Sequence, residues 1–294
     1  MEHKRQLLIT HDGKFHPDDV LAYTTLKLHF KNNVDLIRTR SNIEDYTDSN
    51  AIIFDVGCGK YDHHKVNKSF RTNGIPYSSF GLIWRDFGKS IIKEYENTLT
   101  ETEIEEVFNI IDKQLVEGID AVDNGMYENL KKKYNQYSLS AVLTSFNDEM
   151  GTDNAFLLAV NVAEPILLNL LKVQVNTILD RKSVLAAVAE QGDSPILVLD
   201  DNVMWKKCIN SIPHILYVVS PTANRDKYKV RAVQNSKSLK PRKPLPESWA
   251  GLIDTELQKT TKVSDALFCH PGRFLAGART KAGAIQLAKT ALIS

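Results

Sequence analysis

The stretch Ile52–His64, IIFDVGCGKYDHH, constrains this chain more than any other. Three apolar residues, Ile52, Ile53 and Phe54, run straight into Asp55, and a Gly-bearing turn follows. A short apolar run closed in this way reads as a buried strand. Asp55 then sits at the strand's carboxyl end, where open α/β sheets place their ligands. Seven residues on come Asp62, His63 and His64. One such residue would be a solvated loop polar. Four of them packed this densely after a strand end point to a divalent-metal site.

The segments on either side extend that reading. Gln6–Thr10 is an apolar run that ends at His11, and the following HDGKFHPDDV carries His11, His16, Asp18 and Asp19. Pro17 suits the first position of a helix, with the acidic pair in its first turn, where the helix dipole favours negative charge. That accounts for Asp18 and Asp19 but not for two histidines beside them. The helix is expected to reach about Phe30, with a second strand over Val34–Arg40 and a third ending at Asp55. Strand, helix, strand, loop and strand in this order predict a largely parallel sheet with helices on its faces. His11 and Asp55 then share one sheet edge. Further on, Ser78 or Ser79 caps a helix, and a long helical stretch from about Glu101 to Ala121 ends in GIDAVDNG. Asp120 and Asp123 are both candidate ligands there.

Composition sets outer bounds. At 294 residues, 43% hydrophobic and 25% charged, the chain is long enough for two domains of ordinary globular make-up. A net charge of +1 excludes a polycation, so any nucleic-acid surface must be a local patch. The N-terminus, MEHKRQLLITHDG, lacks the apolar core of a secretory signal, and no apolar run approaches the ~20 residues that cross a bilayer. Three scattered cysteines, Cys58, Cys208 and Cys269, form no disulfide framework and fit a reducing, cytoplasmic setting.

Residues 138–191 are helical by pattern, with Pro165 as a kink or joint. The expected organisation is a metal-binding catalytic domain over 1–150, a helical connector over 151–193 and a smaller α/β domain over 194–294. In that last part PILVLD, HILYVVSP and YKVRAVQN read as strands. Arg225–Lys243 holds eight basic residues against the single acidic Asp226, either a solvated loop or a phosphate-tracking patch. The closing FCHPGRFLAGARTKAGAIQLAKTAL sets His270, Arg273, Arg279 and Lys281 among glycines ahead of a final helix, a pattern that can hold a phosphate.

Carboxylates and imidazoles without cysteine suit hard-to-borderline ions such as Mn²⁺ or Mg²⁺ more than a structural zinc. Two such ions sharing a carboxylate activate water for phosphoryl transfer. There is no G-x-S-x-G element or reactive-cysteine setting to support covalent catalysis.

T-H-x-G-x-F-H-x-D near the N-terminus, Asp-Val-Gly, Asp-His-His, I-D-A-V-D-N-G, P-L-P-E-S-W-A-G-L and H-P-G-R-F-L-A-G occur in this order. Together they resemble the melanocyte-proliferating-gene (MYG-type) family over essentially the whole chain. That family is similar to the DHH phosphoesterases. The resemblance implies an α/β fold, a DHH-phosphoesterase-like parallel-sheet domain followed by a smaller α/β substrate domain. It implies Mn²⁺-dependent phosphodiester hydrolysis, with 3′–5′ exonuclease action on single-stranded RNA or short oligonucleotides. It assigns His11, His16 and Asp55 to one metal, and Asp18, Asp55, His63 and Asp123 to the other, with Asp55 bridging. Asp62 would orient His63, His64 would face the phosphate, and His270, Arg273, Arg279 and Lys281 would grip the substrate. The chain departs from the wider group's His-x-x-x-Asp-x-Asp: His16 stands in place of an Asp and one residue later, and Pro17 follows it where a Cys is common. The loop from Asp55 to Asp62 is also shorter. A small-molecule phosphatase or pyrophosphatase with the same metals, a non-catalytic metal- or RNA-binding module, and self-association into a homo-oligomer are alternatives compatible with these residues.

Overall fold

A computed structural model describes residues 5–46, 50–65, 67–126, 137–235, 238 and 240–294. The chain divides into two compact units, Met1–Val175 and Asn176–Ser294.

The first unit is built on β1 (Gln6–Thr10), α1 (Pro17–His29), β2 (Val34–Arg38) and β3 (Ile52–Ile53). The three strands are parallel in the order β2-β1-β3, with Leu8 opposite Ile52 and Ile9 opposite Ile53. Parallel strands need both faces covered. Helix α1 is buried through most of its length, from Pro17 to Leu26, and α2 (Ser79–Tyr95) packs on it with Phe80, Ile83 and Trp84 inside. The expected long helix after Glu101 is three pieces: α3 (Glu101–Ile111), a π-turn at Asp112–Val116 and α4 (Glu117–Asp123). Arg71 clamps this turn, bonding Asp112 at its start and Asp120 beyond it.

Helix α5 (Leu139–Thr144) precedes α6 (Asp153–Gln191), a single 39-residue helix that passes through Pro165 unbroken. The expected joint between two helices is therefore absent. Asn161 and Pro165 both lie on the exposed side, where water can take the carbonyl that proline leaves unbonded. The expectation on apolar runs also needs correction. An 18-residue window of α6 has a mean hydropathy of 1.7, enough by length and composition to cross a membrane. Its buried residues recur at helical spacing, Phe156, Val160, Ala163, Leu167, Leu171 and Val175. Phe156 meets the rings of Phe15 and Tyr23, so this stripe packs into the first unit's core.

The second unit carries β4 (Ile196–Val198), β5 (Tyr217–Pro221), β6 (Tyr228–Ala232), α7 (Asp254–Thr261), β7 (Ala266–Cys269), β8 (Leu275–Ala278) and α8 (Lys281–Ile293). The sheet order is β4-β5-β6-β8-β7, parallel between β4 and β5 and antiparallel elsewhere. Alternation splits β5 between two cores. Tyr217 and Val219 face Leu287, Ala288 and Ala291 of α8, while Val218 faces Trp205 and Val184. Both units are α/β, as the sequence predicts. The closing segment read as a Gly-rich turn is instead the β7–β8 hairpin.

Candidate metal centre

Parallel pairing of β1 and β3 delivers His11 and Asp55 to the same edge of the sheet. Asp55 adopts φ +57°, a left-handed conformation that costs a non-glycine residue energy and is met least rarely in Asp and Asn. Such strain persists only where the surroundings enforce it. Here they do: Asp55 is buried, with Oδ1 2.9 Å from the Ser79 hydroxyl and 3.1 Å from His63 Nε2, and Oδ2 3.3 Å from His11 Nε2.

The cluster grows outward from this carboxylate. His63 Nε2 also lies 3.2 Å from Asp123 Oδ2 and 3.7 Å from Asp18 Oδ2. Asp18 accepts from the backbone N–H of Ser79 at the start of α2, where the helix dipole favours an anion. Three triads place a ligand atom from each member within 4.8 Å of one another: His11 with Asp19 and Asp55, Asp55 with His63 and His64, and His16 with Asp18 and Asp123. Every residue the resemblance assigned as a ligand is here. The grouping differs, because Asp19 stands beside His11 and Asp55, and the half-exposed His16 stands with Asp18 and Asp123.

Asp19 is the residue the sequence reading missed. At the third position of α1 it looks like a helix cap, and one oxygen does accept the His16 N–H at 2.9 Å. The other is buried without a hydrogen bond, 3.3 Å from His11 Nε2. The role assigned to Asp62 also changes. Its carboxylate accepts from the N–H groups of Cys58 and His64 and lies 2.8 Å from His64 Nδ1, so it orients His64 and not His63. The Nδ1 atom of His63 is buried without a hydrogen-bond partner.

The donor set fits a divalent cation on two grounds. Asp18 Oδ1, Asp19 Oδ2 and Asp55 Oδ2 are buried without hydrogen-bond partners, which is costly unless a charge compensates them. The donors are oxygens and imidazole nitrogens, the chemistry that Mn²⁺ and Mg²⁺ accept. Electrostatics agree. Burial pushes the Asp18 carboxyl well above the usual range and Asp19 up to about 8, in both cases reinforced by the charge of Asp55. Burial would raise Asp55 too, but the close imidazoles of His11 and His63 hold it below the ordinary value. Burial alone would lower His11 and His63; their contacts with Asp55 raise both.

Asp120 and Asp123 differ in what they meet. Asp120 accepts from Ser78 Oγ at 2.6 Å, Gly81 N at 3.1 Å and Arg71 Nη2 at 2.7 Å, capping α2 from α4. Burial raises it to about 6 against those bonds. Asp123, three residues on, turns to His63. Asp120→Ala should therefore cost about 3 kcal/mol of stability by leaving the buried Ser78 hydroxyl and Gly81 N–H without an acceptor and Arg71 with Asp112 alone, whereas Asp123→Asn should weaken Mn²⁺ binding at unchanged Tm. Paired calorimetry and thermal melts read the two effects; the reverse pattern would exchange the roles.

The loop holding His11 and His16 is pinned from outside. Arg38 has no exposed side-chain surface; it donates to the carbonyls of Gly13 at 2.7 Å and Gly151 at 2.9 Å, and stacks on Phe156. Gly151, at φ +63°, lies against Gly13 so closely that a Cβ would fall 2.1 Å from the Gly13 carbonyl carbon.

The four cations expected to grip substrate do not form one group. His270 and Arg273 occupy the β7–β8 turn, with Arg273 at φ +56°. Arg279 and Lys281 lie past the other end of β8, and Lys281 is paired with Asp200. The N-terminus of α8 is no open phosphate seat either. Asp265 bonds Thr280 there, and a Cβ on Gly283 would lie 2.0 Å from its Oδ1. The basic run is also partly committed: Arg225 pairs with Asp201, Lys229 bonds Asn202, Arg242 caps four carbonyls and Lys243 bonds Leu292. Lys237 of that run lies outside the described residues.

Comparison with known proteins agrees with the motif pattern. The MYG1 protein of Schizosaccharomyces pombe is 30% identical over 97% of both chains. The MYG1 exonuclease of Homo sapiens is 26% identical over 96% of this chain and 85% of its own, and a MYG1 protein of Chlamydia muridarum is 29% identical over 90% and 89%. Two solved structures are similar at 10% identity and a TM-score of 0.28. They are a pGpG-specific phosphodiesterase, PggH of Vibrio cholerae, over 99% of both chains, and RecJ of Thermus thermophilus, over 99% of this chain and 50% of its own. The model of the family described as Uncharacterised protein family (UPF0160) matches residues 7–292, and the chain belongs to this MYG1 family.

Proposed function

We propose that this chain is a divalent-metal-dependent phosphodiesterase, acting as a 3′–5′ exonuclease on single-stranded RNA or short oligonucleotides. The observation that carries the reading is Asp55, one strained buried carboxylate whose two oxygens face His11 on one side and His63 on the other. The naming of the human relative as an exonuclease supports it. His11, Asp19 and Asp55 would hold one ion, and Asp18, Asp55, His63 and Asp123 the other, with His16 beside the second. Two bound ions neutralise a reacting phosphate and lower the pKa of a shared water. The chain's residues supply the rest. Asp62 fixes His64 through Nδ1, so its other nitrogen is free at a half-exposed position to exchange a proton with substrate oxygens. His270 and Arg273 in the β7–β8 turn would contact a substrate phosphate, Arg273 bidentately. The deciding experiment offers dinucleotides, single-stranded RNA and DNA, nucleoside bisphosphate and pyrophosphate, each with Mn²⁺, Mg²⁺ or EDTA. Mn²⁺-dependent release of nucleoside monophosphates from the 3′ end is expected. Turnover confined to pyrophosphate would convert the reading to a small-molecule phosphatase.

The buried acids also set a pH dependence. Folded Asp19 keeps its proton to about pH 8, whereas an unfolded Asp releases it near 4. Between these values the folded state binds more protons, so the metal-free fold loses stability as pH rises; Asp18 acts in the same direction. His11 and His63, both raised, contribute stability below their unfolded pKa that is lost as pH climbs through the folded one. Asp55 opposes this only in acid, below the ordinary Asp range. The Tm in EDTA should fall from pH 5 to pH 8, and Mn²⁺ should raise Tm most at the upper end. A Tm flat across this range would remove the buried-carboxylate account.

A further inference from the structure

The second unit holds a cavity of about 280 Å³ that the metal chemistry does not use. Its lining joins Trp205 and Phe274 with Arg231, Lys206, Gln234 and Asn210, and among the described residues contains no carboxylate. Trp205 is fixed by the core that also holds Val184, Ile209 and Ile215. Phe274 is held in the β7–β8 turn, its ring 4.3 Å from that of His270 and its carbonyl bonded to Ala232 N. The aromatic walls are thus rigid parts of the unit.

The polar lining is unspent. While Arg225, Lys229, Arg242 and Lys243 are committed to neighbours, the half-buried Arg231 side chain has no hydrogen-bond or ion-pair partner among the described residues. Extended β6 places it on the cavity wall. Gln234 and Asn210 offer amide donors and acceptors at the same wall. A half-buried guanidinium with no anion beside it is held by water alone and is available to an anionic ligand.

We infer that this cavity binds a nucleotide, its base against Trp205 and Phe274 and its phosphate on Arg231. Aromatic faces stack any base, amides pair with base edges, and a guanidinium takes phosphate bidentately. The volume lies near the small end of ligand pockets, about 300 Å³, and suits a single nucleotide unit. Choosing a nucleotide as the occupant rests on the phosphodiesterase reading above; the cavity and its unspent polar groups do not. On that reading this pocket would hold one nucleotide of the substrate or the released monophosphate.

The test is calorimetry on the full chain in EDTA, which excludes turnover. The probes are AMP, UMP, adenosine, ribose 5-phosphate and inorganic phosphate. The monophosphates should bind at least about tenfold more tightly than adenosine or ribose 5-phosphate, because each fragment lacks one half of the recognition. Arg231→Gln should weaken AMP about tenfold and leave adenosine unchanged. Gln234→Ala, which removes no core atom, should weaken AMP and spare ribose 5-phosphate. Melting curves verify that each variant folds. Equal binding of AMP and ribose 5-phosphate, absence of saturable binding, or an Arg231→Gln variant that binds AMP like the parent would each overturn the proposal. Nucleotide binding in EDTA by a protein with no Mn²⁺-dependent hydrolysis would sink the phosphodiesterase reading and leave the pocket standing.

Discussion

Asp55→Asn should abolish Mn²⁺ binding and hydrolysis while leaving the fold intact. Asn is nearly isosteric with Asp and also tolerates the left-handed backbone found at this position. Its amide oxygen can still accept from Ser79, so the packing at the carboxyl end of β3 survives. What it loses is the negative charge that faces His11 and His63 together. In the proposed arrangement this carboxylate would serve both ions, and several kcal/mol of transition-state stabilisation would go with it, a rate loss of at least about 10³-fold. Titration calorimetry with Mn²⁺, a hydrolysis assay and circular dichroism together decide the matter. Full turnover by the variant would end the shared-carboxylate reading. Loss of structure would mean that Asp55 serves the fold first.

The second large effect is expected at a residue far in sequence from every candidate ligand. Gly151→Ala should cost at least about 4 kcal/mol. A side chain at φ +63° costs ~1–2 kcal/mol. The new Cβ would also overlap the Gly13 backbone, which cannot turn aside as a flexible side chain could, and relief of such overlap costs about 1–3 kcal/mol more. Displacing the Gly151 carbonyl then weakens its bond from the buried Arg38 guanidinium, worth ~1.5–3 kcal/mol. Tm should drop by roughly 10 °C. Because Gly13 lies between His11 and His16, Mn²⁺ affinity should fall as well. A variant with the parent's Tm and affinity would show that the loop does not depend on this contact.

Much of this centre could be read from residue order because strand ends concentrate it. The apolar runs before His11 and Asp55 set the two strands, and parallel pairing then puts both residues on one edge. Asp19 was hidden by its other role, since a carboxylate in the first turn of a helix already has a reason to be there. Asp120 and Asp123 differ only in what they meet across space, Arg71 and Ser78 against His63, and those partners are 42 to 60 residues away. Strand β8 was illegible because Leu-Ala-Gly-Ala has no β-branched residue and the glycines around it imitate a turn. The cations of the second unit were counted correctly but not spent correctly. Their partners, Asp201, Asn202 and backbone carbonyls, leave no trace in composition.

A π-turn is an α-helix with one residue too many. The bulge absorbs its surplus residue, so the helix beyond keeps its phase; removing a single residue from the regular winding at Gly118 would instead rotate everything beyond it by about 100° about the axis. Asp120 would leave Ser78 and Arg71, and Asp123 would leave His63, although every named side chain would still be encoded. In-frame loss of one codon would thus disarm the centre without touching any of its ligands. The phase of the helix is as much a part of the candidate metal centre as the aspartates it carries.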